Sequence, residues 1–319
     1  MSDTRILITG VNGQIGTVLR NKLSEKFGAK NIFSSDIKME DNPPENEFCL
    51  DVLDKEKLFS IVEKHKITQI YHLAALLSGV AEQKPLIAWR INTEGLINVL
   101  EAARIYNLDK IFTPSSIAVF GEGIDKENTI QDSPLLPSSV YGISKVADEL
   151  WHKYYFEKHG VDVRSIRYPG IIGYSSLPGG GTTDWAVEIF YEAVKNNHYN
   201  CFLKGETKLP MILMSDALKA TMDIMDAPKD SIKIRTSYNL ASQSFSPKVI
   251  AELIKTYNKD FTIEYNPDFR QTIADSWPQV IEDSDAKKDW NWIPEFDMKE
   301  MVKIMYTNIE KQYSQKTVS

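Results

Sequence analysis

The segment Thr9-Gly10-Val11-Asn12-Gly13-Gln14-Ile15-Gly16 constrains this chain more than any other. It follows the β-rich run Arg5–Thr9 and leads into an amphipathic run from Gly13 to Lys26, so three glycines fall at a strand-to-helix turn. Glycine allows a tight turn and, lacking Cβ, lets a phosphate approach the backbone N–H groups of the helix N-terminus. The turn reads as a pyrophosphate cradle formed by Gly10, Asn12, Gly13, Gln14, Ile15 and Gly16. Asp36 lies twenty positions after Gly16, at the end of the next strand run, Asn31–Asp36. A carboxylate there accepts hydrogen bonds from an adenosine ribose and repels a 2′-phosphate, which favours NAD over NADP. The plain alternative for Asp36 is a solvated loop residue, and for Asp51 a capping residue before Asp54.

Short β-rich runs alternate with longer amphipathic ones through the first half of the chain. Strands are expected at Arg5–Thr9, Asn31–Asp36, Thr68–His72, Lys110–Ser115 and Asp162–Tyr168, and helices at Gly13–Lys26, Asp54–His65, Pro85–Tyr106 and Ser139–His159. This pattern gives an α/β class, a doubly wound parallel sheet of successive right-handed βαβ units. Regularity ends after Ile172, where Pro178-Gly179-Gly180-Gly181 marks a loop. Beyond it, helices are expected from Thr183 to Asn197, from Ser246 with Pro247 in its first turn, and from Met298 to Gln312. The expected division is a nucleotide-binding domain of residues 1–173 plus about 212–243. A smaller, mostly helical substrate domain takes 174–211 plus 244–319.

The chemistry concentrates in Tyr141-Gly142-Ile143-Ser144-Lys145. A phenol and an ammonium four residues apart share one helix face. A nearby lysine cation and a positively charged nicotinamide both favour the phenolate, so Tyr141 can remove a hydroxyl proton. Thr113-Pro114-Ser115-Ser116 closes the fourth expected strand, at the end of the sheet where ligands bind, and Ser116 is the third candidate. Ser115, adjacent along a strand, faces the other way.

Taken in order, glycine turn, acidic residue, strand-end serine and Y-x-x-x-K resemble the extended short-chain dehydrogenase/reductases across most of the chain. His72-Leu73-Ala74-Ala75, Asn92, Asp51 and Asp216 support the extended type. The resemblance implies Tyr141 as general base, Lys145 on the nicotinamide ribose and lowering the tyrosine pKa, and Ser116 on the substrate oxygen, with hydride passing to the nicotinamide. It implies cofactor contacts from Asp51, Val52, Leu73, Ala74, Ala75, Asn92, Tyr168 and Pro169. Tyr168-Pro169-Gly170-Ile171-Ile172, Gly179 to Phe190, and Asp275-Ser276-Trp277-Pro278 narrow the resemblance to the short-chain type of L-threonine 3-dehydrogenases. Those enzymes oxidise the 3-hydroxyl of L-threonine with NAD to 2-amino-3-ketobutyrate. A zwitterionic amino acid needs donors for its carboxylate and an acceptor for its ammonium. Gly181, Thr182, Thr183, Asp184 and Ser78 are candidates for these, and Trp277 is a candidate wall. Thr183 and Asp184 also read as caps of the helix that follows.

Composition removes several other classes. With 37 basic and 44 acidic residues the formal charge is −7, against nucleic-acid or anionic-membrane binding. The longest mainly apolar stretch, Ile70–Leu77, is too short to cross a bilayer, and the glycine turn beginning at Thr9 leaves no room for a removable leader, so a cytoplasmic location is expected. Cys49 and Cys201 read as free thiols, and the five histidines lack zinc-ligand spacing, so no metal is expected. Two rivals remain open: a sugar-nucleotide epimerase or dehydratase on the same scaffold, and a non-catalytic NAD(H)-sensing module. The resemblance also suggests a homodimer built on the helices Pro85–Tyr106 and Ser139–His159.

Overall fold

In the computed structural model, residues 4–40, 43–175, 177, 179 and 181–318 are described. Pro178 and Gly180 of the expected glycine loop lie outside the described residues. The first half runs β1 (Ile6–Thr9), α1 (Gln14–Phe27), β2 (Ile32–Asp36), β3 (Glu47–Cys49), α2 (Lys55–Lys64) and β4 (Gln69–His72). It continues through α3 (Ser78–Gln83), α4 (Pro85–Trp89), α5 (Gly95–Ile105), β5 (Lys110–Phe112), β6 (Ser115–Ser116), α6 (Val140–His159), β7 (Val163–Arg164), β8 (Ile166–Tyr168) and β9 (Gly170–Ile172). The remainder carries α7 (Trp185–Lys195), β10 (His198–Cys201), β11 (Leu209–Leu213), α8 (Met214–Asp226), β12 (Tyr238–Asn239), β13 (Gln243–Phe245) and α9 (Pro247–Ile254). It ends with β14 (Thr262–Tyr265), α10 (Arg270–Ser276), α11 (Ser284–Trp290) and α12 (Met298–Val318).

The main sheet has the order β3-β2-β1-β4-β5-β7, with every neighbouring pair parallel. Apart from the edge strand β3, its strands are largely buried on both faces, as a parallel sheet covered by helices requires. Ile6, Ile8, Tyr71 and Phe112 point to a layer shared with α1 and α8. Leu7, Ile70, Ile111 and Val163 point to the opposite layer, with α2 and α5. The fold is therefore the doubly wound, Rossmann-like α/β architecture. A third core, around Trp185, Phe190, Met211, Phe245 and Met305, joins α7, α9 and α12 to the sheet β13-β11-β9.

Several boundaries differ from the sequence expectation, each for a local reason. The strand expected at Lys110–Ser115 breaks at Thr113-Pro114, because proline has no N–H for the ladder. The pairing with β7 and β8 keeps one register on both sides of the break. The helix expected at Pro85–Tyr106 is interrupted by a π-helical turn, Arg90–Glu94, a widening commonly found at functional sites. The C-terminal part is less purely helical than expected, since β10 pairs with β14 and β11 with both β9 and β13. Helix α12 extends six residues beyond the expected end at Gln312. Among the described residues no helix is long and apolar enough to cross a membrane.

Helix α6 is fixed to the sheet by chemistry as well as by packing. Ser139 Oγ accepts from Gly142 N at 3.0 Å, and Glu82 Oε1 of α3 accepts from Val140 N at 2.7 Å, capping the helix start. Gly160, with φ of 70°, ends the helix in the left-handed region. In mid-helix, Glu149 takes a bidentate pair from Arg167 of β8, at 2.9 and 2.8 Å, and a hydrogen bond from Ser115 Oγ at 2.6 Å. Both charges are almost fully buried, so removing one leaves the other without compensation. Glu149→Ala is expected to lower the unfolding free energy by about 3–5 kcal/mol, read from urea denaturation midpoints; a loss below about 1 kcal/mol would show that α6 is held by packing alone.

Candidate active site

The site opens at the carboxyl ends of the central strands, where successive loops diverge. Gly10 sits at φ of 74°, and a Cβ there would lie 2.6 Å from Ala74 N, so the turn after β1 packs directly beneath the loop after β4. A Cβ on Gly16 would lie 2.5 Å from Gly10 O, which lets α1 start against the strand end. Gln14 Nε2 is buried in this cradle without a hydrogen-bond partner in the protein. The first-turn N–H groups of α1 from Gln14 onward, the close packing that Gly10 and Gly16 allow, and the unmet Gln14 donor suit a pyrophosphate. Asp36 accepts from Asn12 N at 3.0 Å and from Lys38 N at 3.3 Å, which sets its carboxylate beside the glycine turn. Leu50 N donates to Asp36 O at 2.8 Å, so Asp51 and Val52 lie on the adjacent strand end. Asp51 is exposed and accepts from Leu53 N at 3.0 Å, the capping geometry that its sequence position also allowed.

One cleft brings together Gly10, Gly13, Gln14, Ile15 and Gly16 of the cradle, Leu73 and Ala75 after β4, and Ser78 at the start of α3. The same cleft is lined by Ser116, Tyr141, Lys145, Tyr168 and Pro169, and by Gly181, Thr182, Thr183, Asp184 and Trp277. Asn12, Asp36, Asp51, Val52, Ala74 and Asn92 are not part of this lining. Ala74 instead forms the floor under Gly10, and Asn92, in the π turn, grips the backbone of Leu76 through its N–H at 2.8 Å and its carbonyl at 3.1 Å. Leu77, Pro114, Ile117, Gly170 and Ile171 also line the cleft, and sequence reasoning did not single them out. They are apolar or glycine, so only their places after strand ends could have marked them.

Tyr141 and Lys145 meet on one face of α6, with Nζ 5.8 Å from the ring centroid. Gly142 explains how the pair reaches the sheet: a Cβ there would lie 2.2 Å from Ala118 O, so only glycine lets the first turn press against the segment after Ser116. Lys145 Nζ donates to Pro114 O at 2.9 Å and to Asp148 Oδ2 at 3.3 Å. Burial works against the ammonium, but Asp148 and Tyr141 outweigh it, and the net direction is upward, so Lys145 remains charged. His72 and His152, both buried, are driven down to about 3 and stay neutral.

Ser116 Oγ accepts from Ala118 N at 3.2 Å, which leaves its own O–H to donate. Ser115 points the opposite way, to Glu149. Tyr168 turns its hydroxyl to Thr221, and burial pushes its ionisation upward, so its ring is a wall and not a proton carrier. Across the cleft, Asp184 Oδ2 accepts from Gly181 N at 2.6 Å and closes the loop before α7. Thr183 and Asp184 start α7 through their backbone carbonyls, which accept from Ala186 and Val187 at 3.1 and 2.9 Å, and Asp184 makes no side-chain cap bond to the helix. Thr182 and Ser78 are buried, as is Trp277, which also belongs to the third core. Asp216 lies away from the cleft and ties α8 to Glu295 N at 2.9 Å.

The model of the NAD dependent epimerase/dehydratase family matches residues 6–241. An uncharacterized epimerase/dehydratase of Staphylococcus aureus (strain USA300) is 43% identical over 313 residues, which is 97% of each chain. The holo form of a GalE-like L-threonine dehydrogenase from Cupriavidus necator superposes with a TM-score of 0.93 at 46% identity, over 96% of this chain and 99% of that one. A monomeric L-threonine 3-dehydrogenase from a metagenome gives the same TM-score and identity, again over 96% and 99%. With that family model matching residues 6–241 and a relative 43% identical over 97% of the chain, the chain belongs to the NAD dependent epimerase/dehydratase family, the extended short-chain dehydrogenase/reductases.

Proposed function

We propose that this protein is an NAD-dependent L-threonine 3-dehydrogenase. The observation that carries the reading is one cleft in which Tyr141, Lys145 and Ser116 face Ser78, Thr182, Thr183 and Asp184. NAD, the cofactor of the family, supplies the two-electron acceptor when bound. The glycine turn would hold its pyrophosphate, Asp36 its adenosine ribose and Lys145 its nicotinamide ribose. Ser116 donates to the oxygen of the substrate 3-hydroxyl and orients it. Tyr141, as phenolate, takes the hydroxyl proton; NAD bound beside it would accept the hydrogen and its bonding pair from the carbon, which would leave the alcohol as the ketone of 2-amino-3-ketobutyrate. The Lys145 ammonium stabilises the phenolate by charge. Hydroxyls of Ser78, Thr182 and Thr183 serve the substrate carboxylate, Asp184 serves its ammonium, and Trp277 limits the room beyond the methyl group.

A nucleotide-sugar substrate is disfavoured because its pyrophosphate needs cationic partners. Arg235 is spent on Asp162 at 2.7 Å and on the Phe156 ring, Arg270 on Asp268 at 2.7 Å and on the Phe202 ring, and neither lines the cleft. Ile117 and Ala118, where a dehydratase would place an acidic pair, are buried in a 3₁₀ turn. An NAD(H)-sensing module has no need of the tyrosine and lysine together. The division proposed between cofactor and substrate roles is 1–173 with about 212–243, against 174–211 with 244–319. A homodimer is part of the proposal: Leu86, Ile143 and Leu150 leave apolar surface on α4 and α6 at 80%, 49% and 60% exposure. A similar dehydrogenase described as monomeric makes light scattering the deciding measurement, and a monomer mass would remove this part.

Assay of NADH formation with L-threonine and, in parallel, with UDP-glucose is expected to give turnover with threonine alone, rising toward alkaline pH. Turnover with the sugar nucleotide and none with threonine overturns the assignment. Tyr141→Phe is expected to reduce kcat by roughly 10²–10⁴ while NAD affinity stays within a few-fold, and a wild-type rate in this variant removes Tyr141 as the base. Asp36→Ala is expected to raise the preference for NADP relative to NAD by at least about tenfold, as one lost repulsion at close range would. Unchanged discrimination refutes the ribose role.

A further inference from the structure

Lys145 is served by a carboxylate one turn further along α6. Asp148 is 1% exposed, and its Oδ2 lies 3.3 Å from Lys145 Nζ. Its other oxygen, Oδ1, and Thr93 Oγ1 in the π turn that packs against α6 are both buried, and the Thr93 hydroxyl helps hold the carboxyl in its charged form. A buried carboxylate is costly, and the lysine is the main feature that offsets the cost here, with the Thr93 hydroxyl adding to it. An ammonium has three N–H donors in tetrahedral array. Pro114 O and Asp148 Oδ2 take two of them, so the direction of the third is determined by the protein before any ligand arrives.

The other groups around the pair leave Asp148 in this role. Glu149 is adjacent on α6 but committed to Arg167 and Ser115. Arg167 of β8 is thereby neutralised. His72 of β4 and His152 of α6 are uncharged. Thr93 brings a hydroxyl and no charge. Tyr141 is the remaining titratable group, and Lys145 lies over its ring.

From this geometry we infer that Asp148 is a positioning residue for the reaction: it aims Lys145 at the cleft and offsets part of the ammonium charge, and so governs how strongly Lys145 favours the Tyr141 phenolate. Burial pushes the Asp148 carboxyl up to about 6, against the pull of Lys145, so its charge is present at neutral pH and above. Removing that charge takes a negative neighbour away from the pair and leaves the Lys145 ammonium, still bonded to Pro114 O and raised by the charge on Tyr141, unopposed, so the phenolate forms at lower pH. The connection to turnover rests on the threonine dehydrogenase reading, but the electrostatic claim does not.

Ultraviolet difference titration separates the two. The tyrosinate absorbance of the wild type minus that of Y141F isolates one ionisation, and D148N minus D148N/Y141F isolates it again without the carboxylate. The midpoint is expected to fall by about half a unit to one unit in D148N, and D148E is expected to keep the wild-type midpoint. Where D148N does not fold, D148A carries the same expectation, since water can enter the vacated space. The rising limb of kcat/KM for threonine is expected to move by the same amount, giving roughly three- to tenfold more rate at a fixed pH on that limb. A midpoint unmoved in both D148N and D148A overturns the proposal even if the enzyme oxidises threonine. A moved midpoint in a wild type that leaves threonine unoxidised upholds it and removes the substrate assignment instead.

Discussion

A gap in one strand and a lysine from the neighbouring helix together hold the site. Pro114 interrupts the ladder between β5 and β6, and its carbonyl is taken by Lys145 Nζ at 2.9 Å. A charged donor paired with a backbone carbonyl in a buried setting is a strong hydrogen bond, and it ties α6 to the gap in the sheet where Tyr141 and Ser116 both open into the cleft. Gly142 supplies the close approach, and the Glu149–Arg167 pair prevents the helix from sliding or rolling.

The electrostatics of the site follow from that anchoring. α6 carries Lys145, Asp148, Glu149 and His152 into a buried layer, and burial penalises every charge that lacks a partner. The outcome is selective. Glu149 is paired with Arg167, Lys145 stays charged with both Asp148 and Tyr141 beside it, and the two histidines give their charge up. Among the described residues that line the cleft, Lys145 is the one lysine or arginine. The opposite wall comes from the loop before α7, shaped by Asp184 closing on Gly181 and by Gly170, where a Cβ would lie 2.8 Å from the Thr183 side chain.

Much of the sheet could be read from the chain because its strands are short apolar runs between turn residues, and both faces are covered. Ile6–Thr9 and Gln69–His72 lie within their expected runs, Arg5–Thr9 and Thr68–His72. Three of the strands absent from the expectation share one cause. β3, β10 and β14 carry few consecutive apolar residues, with only half-buried or alternating patterns, and they exist because a neighbouring strand edge accepts them. The π turn at Arg90–Glu94 has no local signal either, since its sequence keeps helical periodicity and the widening serves Asn92 and its grip on Leu76.

Local sequence settled whatever depends on chain-neighbour geometry: the glycine turn at a strand-helix junction, the Tyr141–Lys145 spacing on one helix face, and the alternation that makes a parallel sheet. Those properties need only the periods of helix and strand and the absence of a Cβ. Tertiary structure decided which carbonyl Lys145 would take, that Asp148 would be buried against it, and that Asn92 would grip a loop instead of facing the cleft. Such choices depend on contacts between residues up to dozens of positions apart and on the loss of water around them, and neither is written in any local window of the chain.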